Sequence, residues 1–583
     1  MNQDISVRFV GSAGDGLVSL GWLFAKIIKK HNLNLVGFRS YQSVIRGGYN
    51  EYQLRFSDEK VYSVGEEADI IVLLNKHVAA LHLPRVNDNA KIVYDQDYVD
   101  LDELGYPSDI IEKLPIPMKE LAKQVSKLSV IKNIVVFGAL GHILGLDTEL
   151  IKEVLEEQFG YKGKELVEVN FKALDLGIEF AKNNNWEKVS KKLKFEKGKQ
   201  MVITGNEALA LGLLTGGLKY YSGYPMTPAT SIIHFLTRYL PKLGIIVKQT
   251  EDEIAAAGMA VGASYCGARA ATGTSGGGFA LMTEIVGMAA IQEVPLVIIN
   301  SMRAGPSTGM ATKTEQADLF QAYGASQGDF PKIIIAPNDI EDAFNVGIES
   351  LELAEKYQMV VIVLMDLYLS EGIATVRKLN LKYKTKRYGI LDKVDDDYHR
   401  YKITESGISP RTLPGTPKGM HFTGSSERNE KGFSIASTLA GLPETLPIRN
   451  TMVEKRARKL KQVAKEIPEP IFEGEKDADI TLVSWGSTLN IVREARINLE
   501  EEGIKANHLH IKYILPFQKE KVKEILENAK EVLIIEQNFS GQMQRYICMQ
   551  TAFDIKHHLR RYDGELIVPS QIVKKVKEIV KND

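Results

Sequence analysis

Residues 269–300 read Arg-Ala-Ala-Thr-Gly-Thr-Ser-Gly-Gly-Gly-Phe-Ala-Leu-Met-Thr-Glu-Ile-Val-Gly-Met-Ala-Ala-Ile-Gln-Glu-Val-Pro-Leu-Val-Ile-Ile-Asn. A run of small and β-branched residues (269–274) passes through three glycines into a helical pattern from Phe279. A fully apolar run (294–300) follows. Further strand patterns stand on either side, at 217–221, 244–248, 332–336 and 359–365. Apolar strands separated by helices of about ten or more residues predict an α/β fold with a doubly wound, largely parallel sheet.

Four turns of this region fall where a strand pattern hands over to a helix or loop. They are Tyr221-Ser-Gly-Tyr-Pro-Met-Thr-Pro228, Thr250-Glu-Asp-Glu253, Thr272-Gly-Thr-Ser-Gly-Gly-Gly278 and Arg303-Ala-Gly-Pro-Ser-Thr-Gly309. In a parallel sheet such turns gather at the carboxyl ends of the strands, where ligands bind. The series places a carboxylate, a guanidinium and bare backbone N–H groups along one edge.

The chain has 583 residues, enough for about three domains. A hydrophobic fraction of 44%, a charged fraction of 25% and a net charge of -1 describe an ordinary globular protein. That balance gives no global field for nucleic acid or an anionic membrane. The start lacks a basic segment followed by a long apolar one, and no apolar run reaches the roughly 18 residues of a membrane span. A cytoplasmic location is therefore predicted. Two cysteines, Cys266 and Cys548, exclude a disulfide framework and any iron–sulfur cluster held by this chain alone, which takes about four thiolates. Cys266, set among Ala and Gly, reads as a small buried hydrophobe. His234, His421, His508 and His510 have no metal-ligand spacing, so no metal site is predicted.

The pattern divides into an α/β domain at 1–185, a charged linker at 186–200, the central domain at 201–375, a polar loop-rich connection at 376–475 and a βαβ domain at 476–583. The first domain opens with strand 6–10, the loop Gly11-Ser-Ala-Gly-Asp-Gly16 and a helix from Leu17. Strands at 61–64, 68–74 and 91–95 follow. The last domain carries strands at 478–486, 505–513, 531–536 and 565–568.

Several residues admit two readings. The N–H groups of Gly11, Gly14 and Gly16 could cradle an anion with Arg46 nearby, or the glycines could serve only tight strand–helix packing. Their G-x-x-G-x-G spacing is not the dinucleotide fingerprint. Thr227 and Pro228 suit the N-cap and first position of a helix, or Thr227 could face a ligand. Thr250 and Glu253 have capping-box spacing. Yet the helix after Glu253 is almost wholly apolar, which predicts a buried helix with a desolvated carboxylate at its mouth. Arg303, at a Gly-Pro-rich turn after an apolar strand, could bind a carboxylate or phosphate, or form a surface ion pair.

The order Tyr224-Pro-Met-Thr-Pro228, Glu251-Asp-Glu-Ile-Ala-Ala-Ala-Gly-Met-Ala-Val-Gly-Ala-Ser264, Thr274-Ser-Gly-Gly-Gly278 and Arg303-Ala-Gly-Pro-Ser-Thr-Gly309 resembles the alpha subunit of 2-oxoacid:ferredoxin oxidoreductases. More closely, it is similar to the form with a gamma domain fused ahead of alpha. Ser409-Pro-Arg411, Thr423-Gly-Ser-Ser-Glu427 and Glu536-Gln-Asn-Phe-Ser-Gly-Gln542 also fit, so the resemblance covers nearly the whole chain. Met226, Ala229 and Gly277 replace the usual Ile, Ser and Pro, and Arg428-Asn429 stands where the family has His and Asp.

The resemblance implies a gamma-type first domain, a central domain binding the pyrimidine half of thiamine diphosphate, and a last domain like the carboxyl-terminal domain of transketolases. It implies a beta subunit that holds the diphosphate, Mg2+ and a [4Fe–4S] cluster. It also implies ferredoxin as electron acceptor, coenzyme A as cosubstrate, and a single heterodimer or a dimer of heterodimers. The reaction implied is oxidative decarboxylation of a small 2-oxoacid to acyl-coenzyme A. Glu253 matches the glutamate that hydrogen-bonds the pyrimidine ring nitrogen, while Thr274, Ser275, Gly276 and Gly277 match the cofactor-binding loop. Tyr224, Thr227, Arg303, Ser307 and Thr308 match positions for substrate or coenzyme A, and the Gly11–Gly16 loop with Arg46 matches an anion or coenzyme A site. Gly14-Asp15-Gly16 lacks the asparagine that completes a diphosphate signature about 25–30 residues on. This disfavours one rival, a transketolase-like enzyme with a complete site. A non-catalytic α/β scaffolding subunit is the other.

Overall fold

The structure, a computed structural model, describes residues 4–42, 47–74, 86–101, 111–189, 193–194, 200–377, 379–435 and 445–581. It forms two compact units, one of residues 1–203 with 372–378 and one of residues 204–371 with 379–583. Three sheets carry them. No described helix is long and apolar enough to cross a membrane.

The first unit holds an eight-stranded sheet. In spatial order its strands are Ile111–Ile116, Val86–Asp95, Ala68–Leu73, Asp4–Ala13, Gly47–Ser57, Asn34–Tyr41, Ile373–Val376 and Met201–Thr204. One half is parallel, while Asp4–Ala13, Gly47–Ser57, Asn34–Tyr41 and Ile373–Val376 pair antiparallel. The strand expected at 61–64 is absent. Val61 and Val64 are buried, but the carbonyls there accept side-chain donors in place of a ladder: Gln53 Nε2 to Val64 at 2.8 Å and Arg55 Nη1 to Ser63 at 3.4 Å. Helix Leu17–Lys30 packs its apolar side on this sheet through Leu20, Phe24, Ile27 and Ile28.

The second unit contains a seven-stranded sheet ordered Tyr513–Leu515, Ile333–Ile335, Val360–Asp366, Leu296–Met302, Ala270–Thr274, Tyr220–Gly223 and Ile246–Gln249. Every pair is parallel except the edge strand Tyr513–Leu515. The doubly wound sheet predicted from 269–300 is therefore present. The run expected as one strand at 505–513 is split at Lys512: Ala506–Ile511 joins the third sheet, and Tyr513–Leu515 crosses to the second. The third sheet is ordered Ile471–Glu473, Ala506–Ile511, Ile480–Trp485, Val532–Glu536 and His557–Arg560. Its last strand is polar and carries no apolar alternation. The strand expected at 565–568 is a loop, whose Ile567 N–H donates to Gln537 at 3.2 Å. The second and third sheets share one core through Phe279, Ile298, Ile362, Val483, Trp485 and Ile511.

The connection expected to be loop-rich is irregular up to residue 435, then carries the 21-residue helix Leu446–Glu466. Its inward face bears Met452, Lys455, Arg456, Lys459 and Val463 at helical spacing. Three of these five are charged, so no apolar stripe marks the helix in the sequence. Lys455 and Lys459 instead converge on the buried Glu293, Lys455 at 2.6 Å, and Arg456 pairs with Glu427 through two bonds of 2.8 Å.

Candidate active site at the carboxyl ends of the central strands

In the second unit Thr274 lies in register beside Asn300, and Thr272 beside Ser222, so the strand ends bring their last residues together. Helix Glu253–Tyr265 starts at this edge. Its N-cap is Asp252, whose Oδ1 accepts the Ala255 N–H at 2.7 Å, and Thr250 Oγ1 donates to the Asp252 carbonyl at 2.8 Å. The expected Thr250–Glu253 capping box does not form. Glu253 is left 3% exposed, with Oε1 buried and unpartnered. A carboxylate oxygen in that state costs free energy unless something completes it.

The helix after Glu253 is buried on one side only. Ala256, Ala257, Ala260 and Val261 face the core, while Ile254 and Met259 are exposed and nothing lies within 4 Å of a side chain at Gly258 or Gly262. Cys266, expected to be buried, is exposed at the helix end.

The glycine loop is shaped by protein side chains. A Cβ on Gly278 would lie 2.1 Å from Thr274 Oγ1 and 2.5 Å from Glu253 Oε1. On Gly273 it would lie 2.4 Å from Tyr221 Oη, and on Gly276 2.6 Å from Asp318 Oδ2. Gly277 differs, for only the Ser307 carbonyl comes near, at 3.9 Å. Ser275 precedes helix Gly276–Gln292 without a side-chain cap bond, and its hydroxyl is buried and unpartnered.

Thr227 is not a helix cap. Helix Thr230–Leu243 begins three residues later, with Ala229 at its N-cap, and Thr227–Pro228 lies in the preceding turn through a cis peptide bond. The Thr227 carbonyl accepts Arg303 Nη1 at 2.8 Å, which joins two of the four predicted turns. Arg303 makes no ion pair among the described residues, and its Nε is buried without a partner. Burial holds the guanidinium below its ordinary range, opposed by the nearby Asp318. Tyr224 is exposed, as are Ser307 and Thr308 on the turn that Ala304 and Met310 close.

Four groups at this edge escaped the sequence reading. Asn300 Nδ2 donates to Asp318 Oδ2 at 3.0 Å, while Asn300 Oδ1 and Ser301 Oγ are buried and unpartnered. Burial raises the carboxyls of Asp318 and Glu315 above their ordinary values, and Glu315 accepts the Gly305 N–H at 3.3 Å. The available signal was the polar pair Asn300-Ser301 closing an otherwise apolar strand. Asp318 and Glu315 had none, because they lie in the polar stretch that follows.

In the first unit, the Gly11–Gly16 loop holds its own carboxylate. Asp15 Oδ2 accepts the Ser12 N–H at 2.9 Å and lies 3.2 Å from where a Gly11 side chain would begin. Gly14 and Gly16 have φ of 106° and 76°, which favours glycine, and Gly14 faces open space. Gly16 lies against Asn133. Arg46 is outside the described residues.

Comparison with known proteins places this geometry. Residues 212–446 match the family described as pyruvate flavodoxin/ferredoxin oxidoreductase, thiamine diP-bdg. Residues 6–180 match pyruvate ferredoxin/flavodoxin oxidoreductase, and residues 478–572 match pyruvate:ferredoxin oxidoreductase core domain II. The 2-oxoacid:ferredoxin oxidoreductase subunit alpha of Saccharolobus solfataricus is 30% identical, over 99% of this chain and 98% of that protein. A 2-oxoglutarate synthase subunit of Methanothermobacter thermautotrophicus is 32% identical over 64% of this chain and 96% of its own length. Among solved structures, the 2-oxoglutarate:ferredoxin oxidoreductase of Magnetococcus marinus, with 2-oxoglutarate, coenzyme A and succinyl-CoA bound, superposes with a TM-score of 0.92 at 33% identity and covers 100% of both chains. With a matching fold, three matched families in order and full-length relatives, the chain belongs to the 2-oxoacid:ferredoxin oxidoreductases, as an alpha subunit.

Proposed function

We propose that this chain acts with a beta subunit to decarboxylate a 2-oxoacid oxidatively, transferring the acyl group to coenzyme A and the electrons to ferredoxin. The observation that carries the reading is Glu253 Oε1, buried and unpartnered beside a glycine loop whose Gly277 faces open space. The residues present fit the pyrimidine half of thiamine diphosphate. Glu253 offers a carboxylate oxygen to a ring nitrogen, the hydroxyls of Thr274 and Ser275 and the backbone of Gly276 belong to the same loop, and Gly277 allows a flat ring to come close. When bound, this cofactor supplies a carbon nucleophile and an electron sink for decarboxylation. The chain's own part is to hold and exchange a proton at Glu253 Oε1, on a side chain left only 3% exposed.

Arg303 is the anion clamp. Its Nη1 donates to the Thr227 carbonyl, which fixes the guanidinium, and with no ion pair among the described residues its charge is left for a carboxylate of substrate or a phosphate of coenzyme A. Tyr224, Thr227, Ser307 and Thr308 stand on the same two turns, joined by that bond, and are assigned to substrate or coenzyme A with it. The open Gly14 backbone of the first unit fits an anion contact of its own, with Gly11 and Gly16 in the same loop; Arg46, assigned to the same role from the sequence, lies outside the described residues. Residues 1–185 form the gamma-type part, 201–375 the cofactor part and 476–583 the transketolase-like part, with 186–200 and 376–475 between them. The exposed Ile254 and Met259, next to a half-open site, support a partner chain that covers it and brings the diphosphate site, Mg2+ and [4Fe–4S] cluster. A cytoplasmic heterodimer or dimer of heterodimers follows from the same reading.

The test is anaerobic purification with the co-purifying partner, followed by coenzyme A-dependent dye reduction with a panel of 2-oxoacids. Glu253→Ala is expected to abolish turnover while the complex still assembles. Intact turnover in the assembled Glu253→Ala complex would leave the scaffold reading standing.

A further inference from the structure

Residues 536–542 reach across the second unit to the backbone at 316–320. Gln316 donates its N–H to the Gln537 carbonyl at 2.7 Å, and Gln316 Oε1 accepts the Gln537 N–H at 3.2 Å. Asn538 Nδ2 donates to the Gln316 carbonyl at 3.1 Å. Gln542, the first residue of helix Gln542–Thr551, grips the next turn at both ends. Its Nε2 donates to the Ala317 carbonyl at 2.6 Å, and its Oε1 accepts the Phe320 N–H at 3.2 Å.

The gripped turn in its own right touches the glycine loop. Gln321 Nε2 donates to the Gly276 carbonyl at 3.1 Å. Asp318 Oδ2 accepts Asn300 Nδ2 at 3.0 Å and lies 2.6 Å from where a Gly276 side chain would begin. Gly276 opens helix Gly276–Gln292, and Gly277 and Gly278 follow at once. A run of glycines has no side chains to lock it in place, so its position is set by what it leans on. We propose that Gln542 is a positioning residue for this loop, which rests on the reading of the loop as the pyrimidine site of thiamine diphosphate. By clamping residues 317–320 it fixes Gly276, and with it the opening at Gly277 where the ring approaches. Residues 536–542 thereby take part in the site through contacts that each have a measured length.

The test is calorimetric binding of thiamine diphosphate with Mg2+ to the cofactor-depleted complex with its co-purifying partner, alongside thermal unfolding of that complex. Gln542→Met keeps the length of the side chain and removes both hydrogen bonds. It is expected to weaken cofactor binding about tenfold, the scale of one or two lost hydrogen bonds. Gln321→Met cuts the contact with Gly276 directly and should weaken binding similarly. The double variant should fall within about twofold of the weaker single one, because both act on the same link. Gln544→Met is the control. Gln544 stands on the same helix but donates to the Ile555 carbonyl at 2.6 Å, so cofactor binding should stay within about twofold whatever happens to the unfolding midpoint. Unchanged cofactor binding in Gln542→Met, or losses that multiply in the double variant, overturns the proposal, and a lowered unfolding midpoint alone assigns Gln542 to packing. If Glu253→Ala weakens binding and Gln542→Met does not, the proposal alone falls. If Glu253→Ala and Gln321→Met both leave binding unchanged, the loop is not the cofactor site and both readings fall. Should Gln542→Met not assemble, Gln542→Glu decides. It keeps the acceptor for Phe320 and sets a carboxylate oxygen against the Ala317 carbonyl, so it must weaken binding about threefold or more, and a smaller loss overturns the proposal.

Discussion

Gly278→Ala is the most discriminating single substitution in the glycine loop. The added Cβ would lie 2.1 Å from Thr274 Oγ1, 2.5 Å from Glu253 Oε1 and 2.7 Å from Glu253 Cγ. Ordinary contact begins at 3.4 Å, so the first of these is more than 1 Å too short. Thr274 is in a central strand and 0% exposed, so it cannot yield, and the displacement falls on Glu253 and on the helix starting at Gly276. Overpacking of this kind costs about 1–3 kcal/mol of stability. The effect on turnover is expected to be larger, because moving a reacting group by about 1 Å costs on the order of a hundredfold in rate. Gly277→Ala is the control, since its Cβ would meet nothing closer than 3.9 Å and stability should stay within about 0.5 kcal/mol. If Gly277 is the point where the ring approaches, that variant keeps its melting behaviour and loses affinity for thiamine diphosphate. The assays are thermal unfolding of the complex and dye reduction titrated with thiamine diphosphate. A Gly278→Ala enzyme with unchanged turnover, or a Gly277→Ala enzyme with unchanged cofactor affinity, would refute the placement of the cofactor against this loop.

Two further outcomes follow from buried charge. Glu293→Gln strands Lys455 and Lys459 in the core and is expected to cost about 3 kcal/mol at neutral pH, read as a lowered unfolding midpoint. Lys459, which burial holds down to about 7, can shed its proton, so adding Lys459→Met should restore much of the loss, and a purely additive double variant would contradict the coupling. His508 and His510 share the Ser484 hydroxyl at 2.7 and 2.8 Å, and His510 Nε2 donates to Asn338 Oδ1 at 2.9 Å. Burial lowers both imidazoles, His510 to about 3, so the fold keeps them neutral while the unfolded chain titrates near 6.5. Their contribution to stability is complete above pH 6.5 and is lost on acidification towards pH 3, with a slope of about 1.4 kcal/mol per pH unit for each histidine. His510→Gln should flatten that limb by one such slope in urea melts across pH, and an unchanged slope would show that His510 titrates normally.

The sheet around 269–300 was legible because its strands are buried on both faces and read as continuous apolar runs. The turns were legible because glycine and proline punctuate them. What stayed hidden was structure whose inward face is polar. The helix Leu446–Glu466 buries lysines and an arginine against Glu293 and Glu427, and the strand His557–Arg560 pairs without apolar alternation. At the site itself, spacing identified Glu253, Arg303 and the glycine loop but mistook local roles. Thr227 and the Thr250–Glu253 pair have the composition of helix starts, yet the caps lie one to two residues away. Asp318 gave no local signal, because its position depends on Gln542 and Gln316, contacts made across more than two hundred residues in the first case.

The three consecutive acids Glu251, Asp252 and Glu253 show why residue type at a helix start does not fix its role. Any of them would favour the helix dipole, and two stand at capping distance from a hydroxyl or an amide. In the fold they part. Glu251 is exposed, Asp252 has an extended backbone and takes the Ala255 N–H, and Glu253 enters the helix as its first residue and turns inward. Asp252 takes the Ala255 amide as the N-cap, and Glu253 Oε1 takes no hydrogen bond from the helix start. Its neighbours then complete the arrangement. Gly278 carries no side chain to crowd it, and the apolar helix behind it provides no donor. An unpaired carboxylate oxygen in such a place is costly to the free protein. That cost is accounted for if the oxygen's partner is a ligand, since the same site would then be satisfied only when the cofactor is bound.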